Sequence, residues 1–427
     1  MAAKTHSETP AGEHTGRDGA CPHPRGDPAP RCGDNRPVTD LATASAPPPG
    51  PASPRLRTAF RSALRAAAPA LLAYTAVRML GLLTLAIWAA VAERSPHQLL
   101  SARWDSLWYA RVADGGYGYT VRLPDGSVHS DLAFFPLLPG LEWLLSAVSP
   151  LSFADAGLLV SWVSSLAAAW ALYLVGERLY GARAGVCLAV LWAALPVGVV
   201  QSMAYSESLF TALAAWALYA VLTERWMTAG CLAALSGLTR PVGAAVVAAV
   251  VIAALLWLRR ERVAPPPRVV AGVLLAPLGW FGYVAWVGVR TGEVTGYLDI
   301  QDGWGNGFDG GWAFSRFIWG HLTDSVIAGL GLVAGVTLVL WLLYLAFRQR
   351  QPPPLLMYTT IVVALALCAK GYFGSKPRLL LPAFPLLLPP AAGLAALRTR
   401  TAAVVLSALA VASAIYGAAW LHGSGPP

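Results

Sequence analysis

Apolar runs of about 20 residues recur from residue 67 towards the C-terminal end, separated by short loops that carry arginine. A helix of that length crosses a hydrocarbon layer of ~30 Å. Backbone in lipid must satisfy its own N–H and C=O groups, which leaves helices or closed barrels. The runs are continuous rather than alternating, so the expected fold class is an all-α polytopic membrane protein. Composition excludes the soluble classes: 56% of residues are hydrophobic, 12% are charged and the mean hydropathy is +0.55. The net charge of +9 does not imply a nucleic-acid partner. Its arginines sit between apolar spans, where they set membrane orientation.

The first span is read at 67–92, entered from Arg55, Arg57, Arg61 and Arg65. The positive-inside rule makes that entry cytoplasmic and the loop after it non-cytoplasmic. Arg78 lies in mid-span and must snorkel or face a polar interior. The segment 133–149 is short and contains Pro136, Pro139 and Glu142, which suits an interfacial or re-entrant helix. Further spans are expected at 155–176, 185–204, 207–223, 228–239, 241–258, 269–289, 324–347, 355–374, 379–397 and 401–421. That makes about 11 spans, with arginine in every cytoplasmic connection. Residues 1–55, rich in Pro, Gly, Ala and Ser, are expected to be a disordered cytoplasmic tail. Cys21, Cys32 and three cysteines within apolar runs form no disulfide framework. Residues 56–427 form one membrane domain, with a first outer loop at 93–154 and a second at 290–323.

This topology brings polar residues at span ends to one face. Asp105 stands between Trp104 and Trp108, with Tyr109 adjacent; it is a candidate catalytic base, against the reading of an aromatic-belt helix with a solvated acid. Asp131 precedes an apolar segment and is either a second catalytic acid or a helix cap. Tyr205 and Glu207 begin another apolar run, where an acid also suits the helix dipole. Arg240, followed by Pro241, is costly in hydrocarbon and needs a counter-ion, water or phosphate. Lys376 and Arg378 flank Pro377 at the same level and suit a lipid phosphate, or simple snorkelling. The substrate-binding set is therefore Trp104, Trp108, Tyr109, Tyr205, Glu207, Arg240, Lys376 and Arg378. The second loop offers Tyr297, Trp304 and Phe308 with Asp299, Asp302 and Asp309, a surface for sugar or headgroups. Those aspartates lack metal-ligand spacing, so a divalent metal is unsupported and no cofactor is required.

Taken in order, Arg103-Trp104-Asp105-Ser106-Leu107-Trp108-Tyr109, Gly116-Tyr117, Ala133-Phe134-Phe135-Pro136, Tyr205-Ser206-Glu207-Ser208 and Leu238-Thr239-Arg240-Pro241-Val242-Gly243 make the chain similar to the PIG-V-type mannosyltransferases of the GT-C superfamily. The family usually carries Asn-Gly after the Arg-Pro, where Val242-Gly243 stands here. The resemblance covers roughly 60–260. It implies a GT-C-type fold, a catalytic acid in the first outer loop and a polyprenyl-phosphate sugar donor, usually mannose. The acceptor would be a hydroxyl on a lipid, glycan or protein, with membrane lipids around and the site on the extracytoplasmic side of the cell membrane. A transporter or flippase of lipid-linked sugars is the rival, although no internal repeat is visible. A noncatalytic lipid-sugar-binding subunit is a second rival.

Overall fold

The computed structural model describes residues 54–423 and 425–426. The expected disordered tail, with Cys21 and Cys32, lies outside the described residues. The remainder is helical apart from a small hairpin in which Thr120–Arg122 pairs antiparallel with Val128–Ser130.

Among the described residues, six helices are long and apolar enough to cross a membrane: Arg61–Val91, Phe153–Tyr180, Pro241–Glu261, Pro267–Thr291, Val326–Arg348 and Thr399–His422. Two more candidates are bent pairs. Ala182–Ala193 meets Pro196–Ser202 at 85°, and Phe373–Leu379 meets Phe384–Ala396 at 72°. The expected runs at 185–204 and 379–397 are thus broken rather than straight. Proline explains the breaks, because Pro196, Pro382 and Pro385 each lack the N–H that a continuing helix would use. Helices Glu207–Leu222 and Pro353–Cys368 are shorter than a full span. Hydropathy alone sees an apolar run but not whether its backbone stays helical.

Irregular backbone at membrane depth survives only where protein satisfies it, and the bend near Leu195 shows how. Gln201 Nε2 donates to the Trp192 carbonyl and Arg78 Nη1 to that of Ala193. Ser413 Oγ donates to Leu195, and Trp162 Nε1 to Ser202. Arg78 also reaches Ser202 Oγ at 2.9 Å, so it faces a polar interior instead of snorkelling. Side chains from three other helices, Arg78, Trp162 and Ser413, therefore pin the bent segment that leads into Glu207.

The helix Leu137–Val148 is ~18 Å long at 1.5 Å per residue, too short to cross alone. It packs against Phe153–Tyr180, with Glu142 over Gly157: a Cβ there would lie 2.5 Å from Glu142 Oε1. The loop at 93–154, expected to be the first outer one, also holds helices Pro96–Ser101 and Asp105–Gly115. The second holds Gly296–Gly303 and Trp312–Asp324, and pairs with the segment after Cys368 through a bridge between Phe308 and Ala369.

Candidate functional site

Five segments distant in sequence converge on one cavity of about 400 Å³. Asp105 and Tyr109 enter from the first outer loop, Arg240 from the break before Pro241, and Gln301, Trp304 and Asn306 from the second loop. Ala133, Phe134 and Phe135 come from the turn before helix Leu137–Val148, and Lys370, Lys376 and Arg378 from the segment after Cys368.

Each position has a local cause. Asp105 opens helix Asp105–Gly115, and the residue before it, Trp104, has φ +52°. A bulky residue in that region costs on the order of 1–3 kcal/mol. Trp104 is packed against the core, and the Arg103 guanidinium lies 3.9 Å above its ring. Arg103 in turn donates to the carbonyls of Leu421 and Gly423, which end helix Thr399–His422. The strained turn aiming Asp105 is thus fixed from two sides. Arg240 is extended (φ −157°, ψ 153°) because a proline follows it; the helical direction is lost there and the side chain turns into the cavity. The run 369–376 leaves the helix after Cys368, and the Lys370 amide bonds the Gly307 carbonyl.

Charges alternate across the site. Arg378 Nη1 lies 2.7 Å from Asp105 Oδ2 and Nε lies 3.3 Å from Glu207 Oε1. Arg240 Nη1 lies 2.6 Å from the same Glu207 oxygen and donates to Ser206 Oγ at 3.0 Å. Ser206 Oγ shares a 2.7 Å hydrogen bond with Tyr109 OH. The Arg378 guanidinium rests 5.1 Å from the Tyr205 ring centroid. Lys376 donates to the Ala369 carbonyl and lies over the rings of Phe314 and Phe373. Burial on this scale strengthens each charge interaction relative to water.

The expected residues divide into three groups. Asp105, Tyr109, Arg240, Lys376 and Arg378 line the cavity. Tyr205 and Glu207 are fully buried just behind it and support the arginines. Trp104, Trp108 and Asp131 do not line it. Trp108 stacks on Phe134 at 5.6 Å and meets Trp304 edge-on at 5.0 Å, forming the packed wall between the two loops. Asp131 is buried, and its Oδ2 accepts the amides of Gly118 and Tyr119, both at 2.8 Å. It fastens the hairpin instead of meeting the cavity.

The second-loop aspartates are likewise local. Asp309 accepts the amides of Ala313 and Gly311, and those bonds hold its carboxyl below the usual carboxylate range. Asp299 takes the Thr295 hydroxyl. Among the described residues no three His, Cys, Asp or Glu side chains gather as a metal site would require. Sequence reasoning missed Lys370, Gln301 and Asn306 as lining groups. Lys370 sat inside an expected span, although the glycines at 371 and 374 marked its end.

Residues 136–286 match the family described as dolichyl-phosphate-mannose-protein mannosyltransferase. The match takes in Glu207 and Arg240 but not Asp105 or Arg378. No curated protein sequence matches the chain significantly. Among solved structures, the chain is similar to ArnT from Cupriavidus metallidurans bound to undecaprenyl phosphate. That match has 16% identity and a TM-score of 0.50, over 79% of this chain and 62% of that one. A crystal structure of the Archaeoglobus fulgidus oligosaccharyltransferase with Zn and sulfate also matches, at 16% identity and TM-score 0.43, over 81% of this chain and 53% of that one. The chain thus spans less than two thirds of the length of these structures. The PIG-V-type assignment stays a resemblance, while the architecture is plain: this is a helical multi-pass membrane protein whose fold is similar to that of ArnT.

Proposed function

We propose that this protein is an integral-membrane glycosyltransferase that moves a sugar, mannose by resemblance, from a polyprenyl-phosphate donor to an acceptor hydroxyl on the extracytoplasmic face. The observation that carries the reading is one cavity-facing carboxylate, Asp105, paired with Arg378 from a distant segment, in a cavity that also takes Arg240, Lys370 and Lys376 into its lining. An excess of positive charge around one acid suits a substrate that brings its own phosphate. Val362, Leu365, Ala366 and Leu379 give the same cavity an apolar flank, which suits an isoprenoid chain.

The chemistry follows from this division. The acceptor oxygen attacks the anomeric carbon, and the bond from that carbon to the phosphate oxygen breaks. Polyprenyl phosphate leaves, stabilised by the guanidinium and ammonium groups. The acceptor proton passes to Asp105, a step worth roughly 10²–10⁴ in rate. A single displacement inverts the anomeric centre. The ArnT structure was solved with undecaprenyl phosphate, which makes that lipid a natural first donor carrier.

Lipid-linked glycan profiling of a deletion strain tests the reading. Accumulated polyprenyl-phosphate sugar together with one missing glycoconjugate is expected. Unchanged glycoconjugates with unchanged donor pools would reject it, and donor trapped on the cytoplasmic leaflet would favour a flippase.

A further inference from the structure

Arg378 makes two contacts of different kinds. Its Nη1 forms an aligned hydrogen bond to Asp105 Oδ2 at 2.7 Å. Its Nε approaches Glu207 Oε1 at 3.3 Å without hydrogen-bond alignment. Arg240 meets that oxygen at 2.6 Å, again unaligned, and both Glu207 oxygens are buried without a hydrogen-bond partner. Glu207 therefore balances the charge of both arginines from behind without accepting an aligned hydrogen bond from either. On the cavity side, Asp105 is what ties the Arg378 fork down.

A guanidinium offers its donors in a rigid planar fork, and a phosphate takes two of them in parallel. Asp105 holds one N–H of that fork, at Nη1, and both residues line the cavity. We propose that Asp105 and the donor phosphate compete for Arg378. Arrival of a polyprenyl phosphate then draws the guanidinium away and releases Asp105 Oδ2 to the acceptor hydroxyl. The Oδ2 lone pair that Arg378 occupies is unavailable to that proton beforehand, so donor binding adds Oδ2 to the acceptor's reach. This rests on the glycosyltransferase reading and adds to it the coupling between donor binding and the base.

The test measures undecaprenyl phosphate binding to the purified full chain in nanodiscs, with undecaprenol as the uncharged control. Asp105→Asn keeps the shape and removes the competing charge, and is expected to bind undecaprenyl phosphate about tenfold tighter. Undecaprenol binding should not change. Arg378→Met should bind the phosphate more weakly, and adding Asp105→Asn to it should restore nothing. Unchanged or weaker binding by Asp105→Asn overturns the proposal. So does equal tightening in the Arg378→Met background, which would mean plain repulsion across the cavity. If the Asn variant does not fold, Asp105→Ser serves the same comparison. Failure of every form to bind undecaprenyl phosphate overturns the donor reading as well, whereas binding without tightening overturns this inference alone.

Discussion

Asp105 and Asp131 belong to the same outer loop, and each opens a helical turn in front of an apolar stretch. Their surroundings differ. Asp105 lines the cavity and is answered by a cation, Arg378, from a distant part of the chain. Asp131 is wholly buried and answered by two backbone amides ten or so residues upstream. Amides fixed in a loop neutralise a carboxylate permanently, whereas a guanidinium at a cavity wall can trade it for another anion. Glu142 in the neighbouring helix Leu137–Val148 completes the contrast. It is buried, its Oε2 meets no hydrogen-bond partner among the described residues, and burial pushes its carboxyl up to about 9. One region is built to be exchanged, the other to stay closed.

The largest expected effect is on chemistry. Asp105→Asn should lower turnover by roughly 10²–10⁴ while the purified protein keeps its thermal transition. Arg378→Met should cost about 3 kcal/mol of stability, because it leaves Asp105 without its cation and buried Glu207 with Arg240 alone; thermal unfolding in detergent reads this. A loss no larger than that of a surface substitution would break the view that the charge chain is tightly held.

Glu142 sharpens the comparison through pH. Its folded-state carboxyl titrates above its unfolded one, so the wild-type protein loses stability as pH rises from about 4.5 towards about 9. The slope is at most about 1.4 kcal/mol per pH unit. Glu142→Gln removes that slope and should stabilise the protein more at pH 8 than at pH 5. Equal effects at both values would show that Glu142 finds a partner. Asp131→Ala has the smallest expected effect, about 1–3 kcal/mol from two amides left without an acceptor, with turnover per folded molecule kept. A turnover loss like that of Asp105→Asn would merge the two regions into one site.

Much of this was legible from residue types. Charged residues inside apolar runs are costly, so Arg240, Lys376 and Arg378 stood out, and the break at Arg240-Pro241 followed from proline. Asp105 stood out by its motif. What stayed hidden depends on contacts between distant segments. Lys370 reaches the cavity because the segment after Cys368 pairs with the loop at Gly307, and no local pattern reports that pairing. Trp104 and Trp108 read as substrate contacts, yet one packs under a strained turn and the other in the wall between loops. Aromatic composition does not distinguish a wall from a binding face. Asp131 misled for a similar reason, since its amide partners lie across a hairpin whose strands are three residues each. The bent helices near Leu195 and Pro382 read as straight spans because the hydropathy of a bent run equals that of a straight one.

The most direct trial pairs wild-type and Asp105→Asn protein, purified and supplied with a polyprenyl-phosphate mannose labelled in the sugar and an extract of acceptors from a deletion strain. The wild type should transfer label and release polyprenyl phosphate, while the variant binds the donor lipid and transfers nothing. Label transfer at comparable rates by both proteins would contradict the assignment of Asp105 as the base.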